Sequence, residues 1–311
     1  MLFTVSDRNC PAKSAKKYAS IWTKQGSPLA VHTAAQTEAI KQRLQSAYPQ
    51  LIVEYAMSYG KPNLSVSLDR LVREQGVDRL AVVPLYPQFS ATTTASVFDA
   101  VFTHFKKLRN PPELRMVKHY HDDPRYIASL AVQIRAHWAA NPWVQGEKRM
   151  LVMTFHGLPK RNLLLGDPYY CECQKTARLL KTELGLNDDE CTVTFQSRFG
   201  KATWLQSYTE PTLIEIAKTH ARVDVVCPGF TSDCLETLEE IAMEAKEAYE
   251  HAGGKVFHYI PALNENADWI ENMAAIIHDH LAGWHLDQTT TSSADEPVNR
   301  KARAIGLGAK Q

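Results

Sequence analysis

The chain has 311 residues, 44% hydrophobic and 22% charged, with 35 Lys plus Arg against 34 Asp plus Glu. That is a globular composition, long enough for a large buried core and without the basic excess that holds a nucleic-acid backbone. No run reaches the roughly 18 to 20 apolar residues that span a bilayer, and Met1 to Lys17 has too short an apolar core for a secretory leader. With only six cysteines, a disulfide framework is not expected either, so the reading is a cytoplasmic chain with free thiols.

Apolar runs rich in Val, Ile and Leu alternate with stretches of helical period. In chain order the pattern predicts a helix over 33–47, a strand over 51–58, a helix over 64–75, a strand over 79–86, a helix over 94–107, a strand over 113–119 and a helix over 124–139. It continues with a strand over 149–156, a helix over 171–184, a strand over 190–197, a helix over 210–220, a strand over 222–228, a helix over 232–251, a strand over 255–260 and a helix over 265–283. Alternation with short connections means parallel pairing through right-handed crossovers, hence a doubly wound α/β fold.

The polar stretch over 141–148 divides this into an N-terminal lobe, 1–147, and a C-terminal lobe, 148–264, while 284–311 reads as a disordered tail. A weak repeat supports two lobes. Ser58-Tyr59-Gly60-Lys61 leads through a helix and a strand to Pro87, much as Arg198-Phe199-Gly200-Lys201 leads to Pro228.

Two places stand out for chemistry. The run Met150 to Phe155 ends in His156, followed by Gly157 and Pro159, so the imidazole projects from a strand end, where open α/β sheets bind ligands. Its bland alternative is a ring that merely bonds a nearby carbonyl. After Cys227-Pro228-Gly229, residues Asp233, Glu236 and Glu240 fall at helical spacing on one face. Like charges stacked four apart repel, which a chain selected only for folding would avoid, although a capped, solvated helix start is the competing reading. A neutral imidazole facing carboxylates suits divalent-metal or proton chemistry.

Weaker candidates are Cys171-x-Cys173, whose spacing does not fit common zinc or iron-sulfur sites, and the cluster His119-Tyr120-His121-Asp122-Asp123, which has ligand types but also reads as a loop before a helix cap. Tyr59, Tyr86, Phe89 and Trp204 lie near the same predicted sheet edge and could flank a flat apolar ligand, though most such aromatics are core.

With these residues laid out, the chain resembles the ferrochelatases, which insert Fe2+ into protoporphyrin at the end of heme synthesis. The matching blocks are Thr154-Phe155-His156-Gly157-Leu158-Pro159, Gly166-Asp167-Pro168-Tyr169, Phe195-Gln196-Ser197-Arg198-Phe199-Gly200 with Trp204-Leu205, and Pro228 through Glu240. Upstream, Tyr18-Ala19-Ser20-Ile21-Trp22-Thr23, Gly26-Ser27-Pro28-Leu29 and Leu85-Tyr86-Pro87-Gln88-Phe89-Ser90 also match. The resemblance implies two Rossmann-like lobes of parallel sheet with a porphyrin cleft between them, and a last helix, 265–283, crossing back onto the first lobe.

It further implies a lyase in which His156 and Glu236 flank the macrocycle centre as catalytic and metal-binding residues. Asp233 and Glu240 would continue a proton or metal path, and Ser27, Tyr59, Tyr86 and Trp204 would shape the porphyrin site. Protoporphyrin IX and Fe2+ are the implied substrates, with no resident cofactor and no nucleic-acid partner; peripheral membrane association and oligomeric state stay open. The sequence departs from the family pattern at its start, where the usual apolar strand and Leu-Gly-Thr-Pro turn are not found ahead of Tyr18, so the first lobe is expected to be incomplete, with unpaired strand edges. Two other readings therefore stand beside metal insertion: a porphyrin- or heme-binding protein without turnover, and a chelatase for another tetrapyrrole.

Overall fold

The computed structural model describes residues 10–144, 146, 148–284 and 302–309. The N-terminal lobe holds helices α1 (Cys10–Ile21), α2 (Pro28–Gln45) and α3 (Leu64–Asp69), strand β1 (Arg79–Val82), helix α4 (Thr94–Phe105), strand β2 (Glu113–Met116) and helix α5 (Pro124–Ala140). β1 and β2 pair in parallel, from Arg79 opposite Glu113 to Val82 opposite Met116. Under them Leu68, Val101 and Phe105 are buried against Leu80, Val82, Leu114 and Met116. Asp123 caps α5 by accepting from the Arg125 amide, and Pro124 opens the helix at a position where its missing N–H costs nothing.

Residues 51–58 do not form the expected strand. Among the described residues they carry no regular secondary structure, and of them only Met57 bridges, to Asn63 in the following turn. Apolar patterning suits a segment to a sheet, yet a ladder also needs a neighbour presenting N–H and C=O groups in register.

The C-terminal lobe follows as β3 (Leu151–His156), α6 (Lys160–Leu164), α7 (Tyr169–Leu184), β4 (Cys191–Gln196), α8 (Thr209–Ala217), β5 (Arg222–Val226), α9 (Leu235–Leu238), α10 (Lys246–His251), β6 (Val256–Ile260) and α11 (Ala267–His280). Its four strands are parallel in the order β4-β3-β5-β6. Helices cover both faces, so β3 is buried from Leu151 through Phe155 and its sequence is a continuous apolar run ending in a polar residue. Each such large side chain withdrawn from water contributes on the order of 1.5–3 kcal/mol. The strand order reverses at β3, since the chain steps outward to β4 and then returns to the other side for β5. That reversal opens a crevice beyond the carboxyl ends of β3 and β5.

β5 also carries a buried ion pair. Arg222 donates from Nε and Nη2 to the two oxygens of Asp224 at 3.1 and 3.0 Å, Trp138 Nε1 donates to the same carboxylate at 2.8 Å, and the guanidinium lies 3.9 Å from the Trp143 ring centroid.

The expected helix over 232–251 is broken into α9, a wider turn over 240–245 and α10. Within the wide turn, Glu244 N donates to Glu239 O five residues back at 2.9 Å, a bulge that the apolar period does not reveal. Helices α1 and α6 were not foreseen. The first lies in a Lys- and Ser-rich stretch with few large apolar side chains, and the second is only five residues long.

Helix α11 packs on α2 and α5. Its buried Trp269 donates to Gln36 Oε1 at 2.9 Å, and Gln36 Nε2 donates onward to Ser232 Oγ at 2.6 Å, so one amide ties α2, α11 and the turn after β5. The expected disordered tail over 284–311 begins too early. Trp284 is buried, donating to Glu113 Oε1 at 2.7 Å with Arg115 4.2 Å from its ring centroid, and 302–306 forms a helical turn. Residues 285–301 lie outside the described residues. Among the described residues, no helix is long and apolar enough to cross a membrane.

Candidate active site at the switch between strands

His156 ends β3 at the crevice. Its Nδ1 lies 2.6 Å from the Gly157 carbonyl, which has only lone pairs to offer, so Nδ1 carries the proton and Nε2 keeps a free lone pair. The Tyr169 hydroxyl donates to the His156 carbonyl at 3.0 Å and holds the strand end from α7. Position 157 must be glycine for close approach. A Cβ there would stand 2.5 Å from the Gln196 carbonyl oxygen and 3.1 Å from Trp204 Cε3.

From the other strand, the turn after β5 delivers Glu236 in the first turn of α9. Cys234 precedes that helix with extended backbone, and its amide donates to Thr237 Oγ1 at 2.9 Å. Glu236 is 7% exposed, and its Oε1 is buried with no hydrogen-bond partner. A carboxylate oxygen withdrawn from water and left unmatched is costly, and such an atom in a native fold asks for a ligand.

The charge of Glu236 is felt by His156, Tyr18, Tyr86 and Glu240. Burial pushes the His156 imidazole below its usual range while the Glu236 charge pulls it back up. Tyr86 and Tyr18 are pushed up, first by burial and then by Glu236. Tyr59 is exposed and within electrostatic reach of Tyr86. Trp204 is buried against Gly157 and Phe199, and its Nε1 has no partner among the described residues.

Glu240 sits one turn beyond Glu236, and burial pushes its carboxyl up. Its Oε2 accepts from Ser197 Oγ at 2.5 Å and its Oε1 from the Ser197 amide at the same distance, while Gln196 Nε2 donates to the Glu236 carbonyl at 2.7 Å. Ser197 adopts φ 61°, a left-handed turn that aims its amide at Glu240.

Asp233 does not share the face expected for it. It precedes the helix and turns away, its carboxylate accepting from Thr237 Oγ1, the Tyr259 hydroxyl and Asn264 Nδ2 at 2.9, 2.5 and 2.7 Å, and from the Ala262 amide at 3.3 Å. These bonds make it the anchor of the α9 entry. Ser27 stands ahead of α2 with its carbonyl bonded to Val31, and among the described residues no hydrogen bond ties it to His156 or Glu236. Phe89 faces Lys118, whose Nζ is 4.8 Å from its ring centroid.

Sequence reasoning missed Tyr18, Gln196 and Ser197 as site residues. The first belongs to the unforeseen α1, which Lys17 fastens to the acidic helix through Glu239 and Glu244 at 2.9 and 2.7 Å. For Ser197 the signal is a backbone angle, and no residue pattern announces it.

A parallel α/β fold in two lobes, with an imidazole at the end of one strand and an unpaired buried carboxylate just after its neighbour, beside a strand-order reversal, has the architecture of a chelatase-type protein. The fold is that of the solved structure of SirB from Bacillus subtilis with Fe3+, at TM-score 0.59 and 11% identity, covering 80% of this chain and 90% of that one. The chain belongs to the ferrochelatase family, whose model matches residues 3–281. It is 54% identical over 296 residues to the ferrochelatase of Methylibium petroleiphilum, covering 95% of this chain and 79% of that protein. Similarity to the ferrochelatase of Herminiimonas arsenicoxydans is 56% identity over 306 residues, covering 96% of this chain and 81% of that protein.

Proposed function

We propose that the chain carries out its family's reaction, insertion of Fe2+ into protoporphyrin IX to give protoheme, where His156 meets Glu236. Membership of the ferrochelatase family supports the reaction; the buried, unpartnered Glu236 Oε1, whose charge is felt by an imidazole with a free Nε2, supports the place. Metallation needs two pyrrole protons removed and the ion stripped of water. In this reading His156 Nε2 accepts a pyrrole proton or holds the arriving ion, and Glu236 supplies the charge opposite it.

Glu240, with Ser197 on both its oxygens, is the next acceptor outward, while Asp233 fixes the start of the helix that carries Glu236. Tyr86, Trp204 and the exposed Tyr59 form the wall and rim for the flat ring, and Ser27 belongs to the neighbouring α2 entry. Iron enters as substrate, no resident cofactor is invoked, and the reaction is assigned to the cytoplasm.

Replacing His156→Ala and Glu236→Gln should each abolish insertion of Fe2+ or Zn2+, followed by the absorption change of the metalloporphyrin, with porphyrin affinity by fluorescence titration largely kept. Near-normal insertion by both variants would overturn the assignment. Tight porphyrin binding by the unaltered chain with no metallation would favour a carrier instead.

A further inference from the structure

Outside the His156 and Glu236 pair, three other ligand-type groups converge at the join between the lobes. His119 and His121 follow β2 in the first lobe, and Glu172 lies in the first turn of α7 in the second. His119 Nδ1 is 2.7 Å from Glu172 Oε1, His121 Nδ1 is 3.3 Å from Glu172 Oε2, and the two rings meet edge to face with centroids 4.8 Å apart. His121 and Glu172 are 4% and 6% exposed, and His121 Nδ1 is buried without a hydrogen-bond partner among the described residues. A buried imidazole nitrogen that lies beside a carboxylate without a hydrogen bond to it is what a fold without a ligand there avoids.

We propose that His119, His121 and Glu172 form a second site, for a divalent transition-metal ion of the Zn2+ or Co2+ type, which clasps the two lobes. The spacing suits such an ion. With bonds of about 2.0–2.1 Å in tetrahedral geometry, ligand atoms stand about 3.3 Å apart. His121 Nδ1 is already at 3.3 Å from Glu172 Oε2, the 2.7 Å between His119 Nδ1 and Oε1 would widen, and all three groups offer ligand atoms within 4.8 Å of one another. Two imidazoles and one carboxylate match the ligand preference of this class, and three protein ligands leave a coordination position for water. Both rings present Nδ1, so binding requires each neutral ring to carry its proton on Nε2, a tautomer change with no net loss of protons. The ion's charge would replace the present bond between His119 and Glu172.

Surrounding bonds hold the carboxylate ready. Glu172 Oε2 also accepts from the Phe89 amide at 2.7 Å, Thr176 Oγ1 on the next turn donates to the His121 carbonyl at 2.8 Å, and Lys175 pairs with Asp122 beside the site. His119 is the half-exposed member and gives the ion its way in. By contrast, the grouping of His137, Asp224 and His258 offers similar atoms, but its carboxylate is already gripped by the Arg222 guanidinium, and a resident cation opposes a second one.

The test uses the full chain carrying His156→Ala and Glu236→Gln, so that the reaction centre loses its imidazole and its unpaired carboxylate, titrated with CoCl2 and read by visible absorption and equilibrium dialysis. The expected result is one Co2+ per chain with the strong absorption of a low-coordinate ion, displaced by Zn2+, and a Tm that climbs with Co2+ concentration. Adding His119→Ala or Glu172→Gln should weaken binding by about tenfold or more and cancel the rise in Tm. No bound Co2+ in the starting chain overturns the proposal, as does binding that is unchanged by His119→Ala or lost on His258→Ala. Since His119 lies at the surface, its replacement keeps the test valid even where a change at buried His121 fails to fold.

Discussion

One bond decides what His156 can do: with Nδ1 committed to the Gly157 carbonyl, Nε2 is the atom left for a pyrrole proton or a metal ion. Burial keeps that nitrogen unprotonated near neutral pH, and the Glu236 charge limits how far the lowering goes. Removing the charge leaves burial less opposed, so Glu236→Gln should move the His156 titration to lower pH. Nitrogen-15 NMR of the labelled imidazoles measures this, and an upward move would contradict the facing arrangement. At this scale much of the site was legible, because an apolar run ending in His before Gly-x-Pro, and an acidic run after Cys-Pro-Gly, each mark a strand end. The fate of Asp233 was not legible, since its partners Tyr259, Ala262 and Asn264 are 26, 29 and 31 residues away in sequence and spacing alone groups it with Glu236.

Among the elements, the entry to α9 carries the most consequence, for it sets where Glu236 points. Asp233 gathers a phenol, a hydroxyl, an amide side chain and a backbone N–H around one carboxylate. Asp233→Ala strands those donors in a buried setting and should cost roughly 2–4 kcal/mol in urea unfolding. Insertion activity should fall with it, while Asp233→Asn, which keeps an acceptor oxygen, should lose less of both; equal effects would separate the anchor from the chemistry. Most elements could be read from periodicity to within a few residues, because parallel strands buried on both faces leave long Val-, Ile- and Leu-rich runs such as Leu151–Phe155. Breaks inside helices could not. The wide turn over 240–245 keeps the apolar spacing of a helix and differs only in which carbonyl each amide finds.

For the whole molecule, acid should be a denaturant at mild strength. His121, His137, His156 and His220 are all held below the ordinary histidine value of 6.5, with burial the leading cause. The folded chain therefore binds fewer protons than the unfolded chain in this range. The stability they confer is full above 6.5 and is lost as pH falls through their lowered values. Calorimetry should find a lower Tm at about pH 5.5 than at about pH 7.5, and a flat profile would rule the linkage out. A second consequence at this scale lies in 51–58, whose amides over 52–56 find no backbone acceptor among the described residues. Those hydrogens should exchange with deuterated solvent orders of magnitude faster than the amides of β3. Unpaired backbone beside exposed apolar side chains also invites self-association when the protein is concentrated. Ile52 is 44% exposed there, and Ile52→Lys should reduce concentration-dependent light scattering without changing metal insertion.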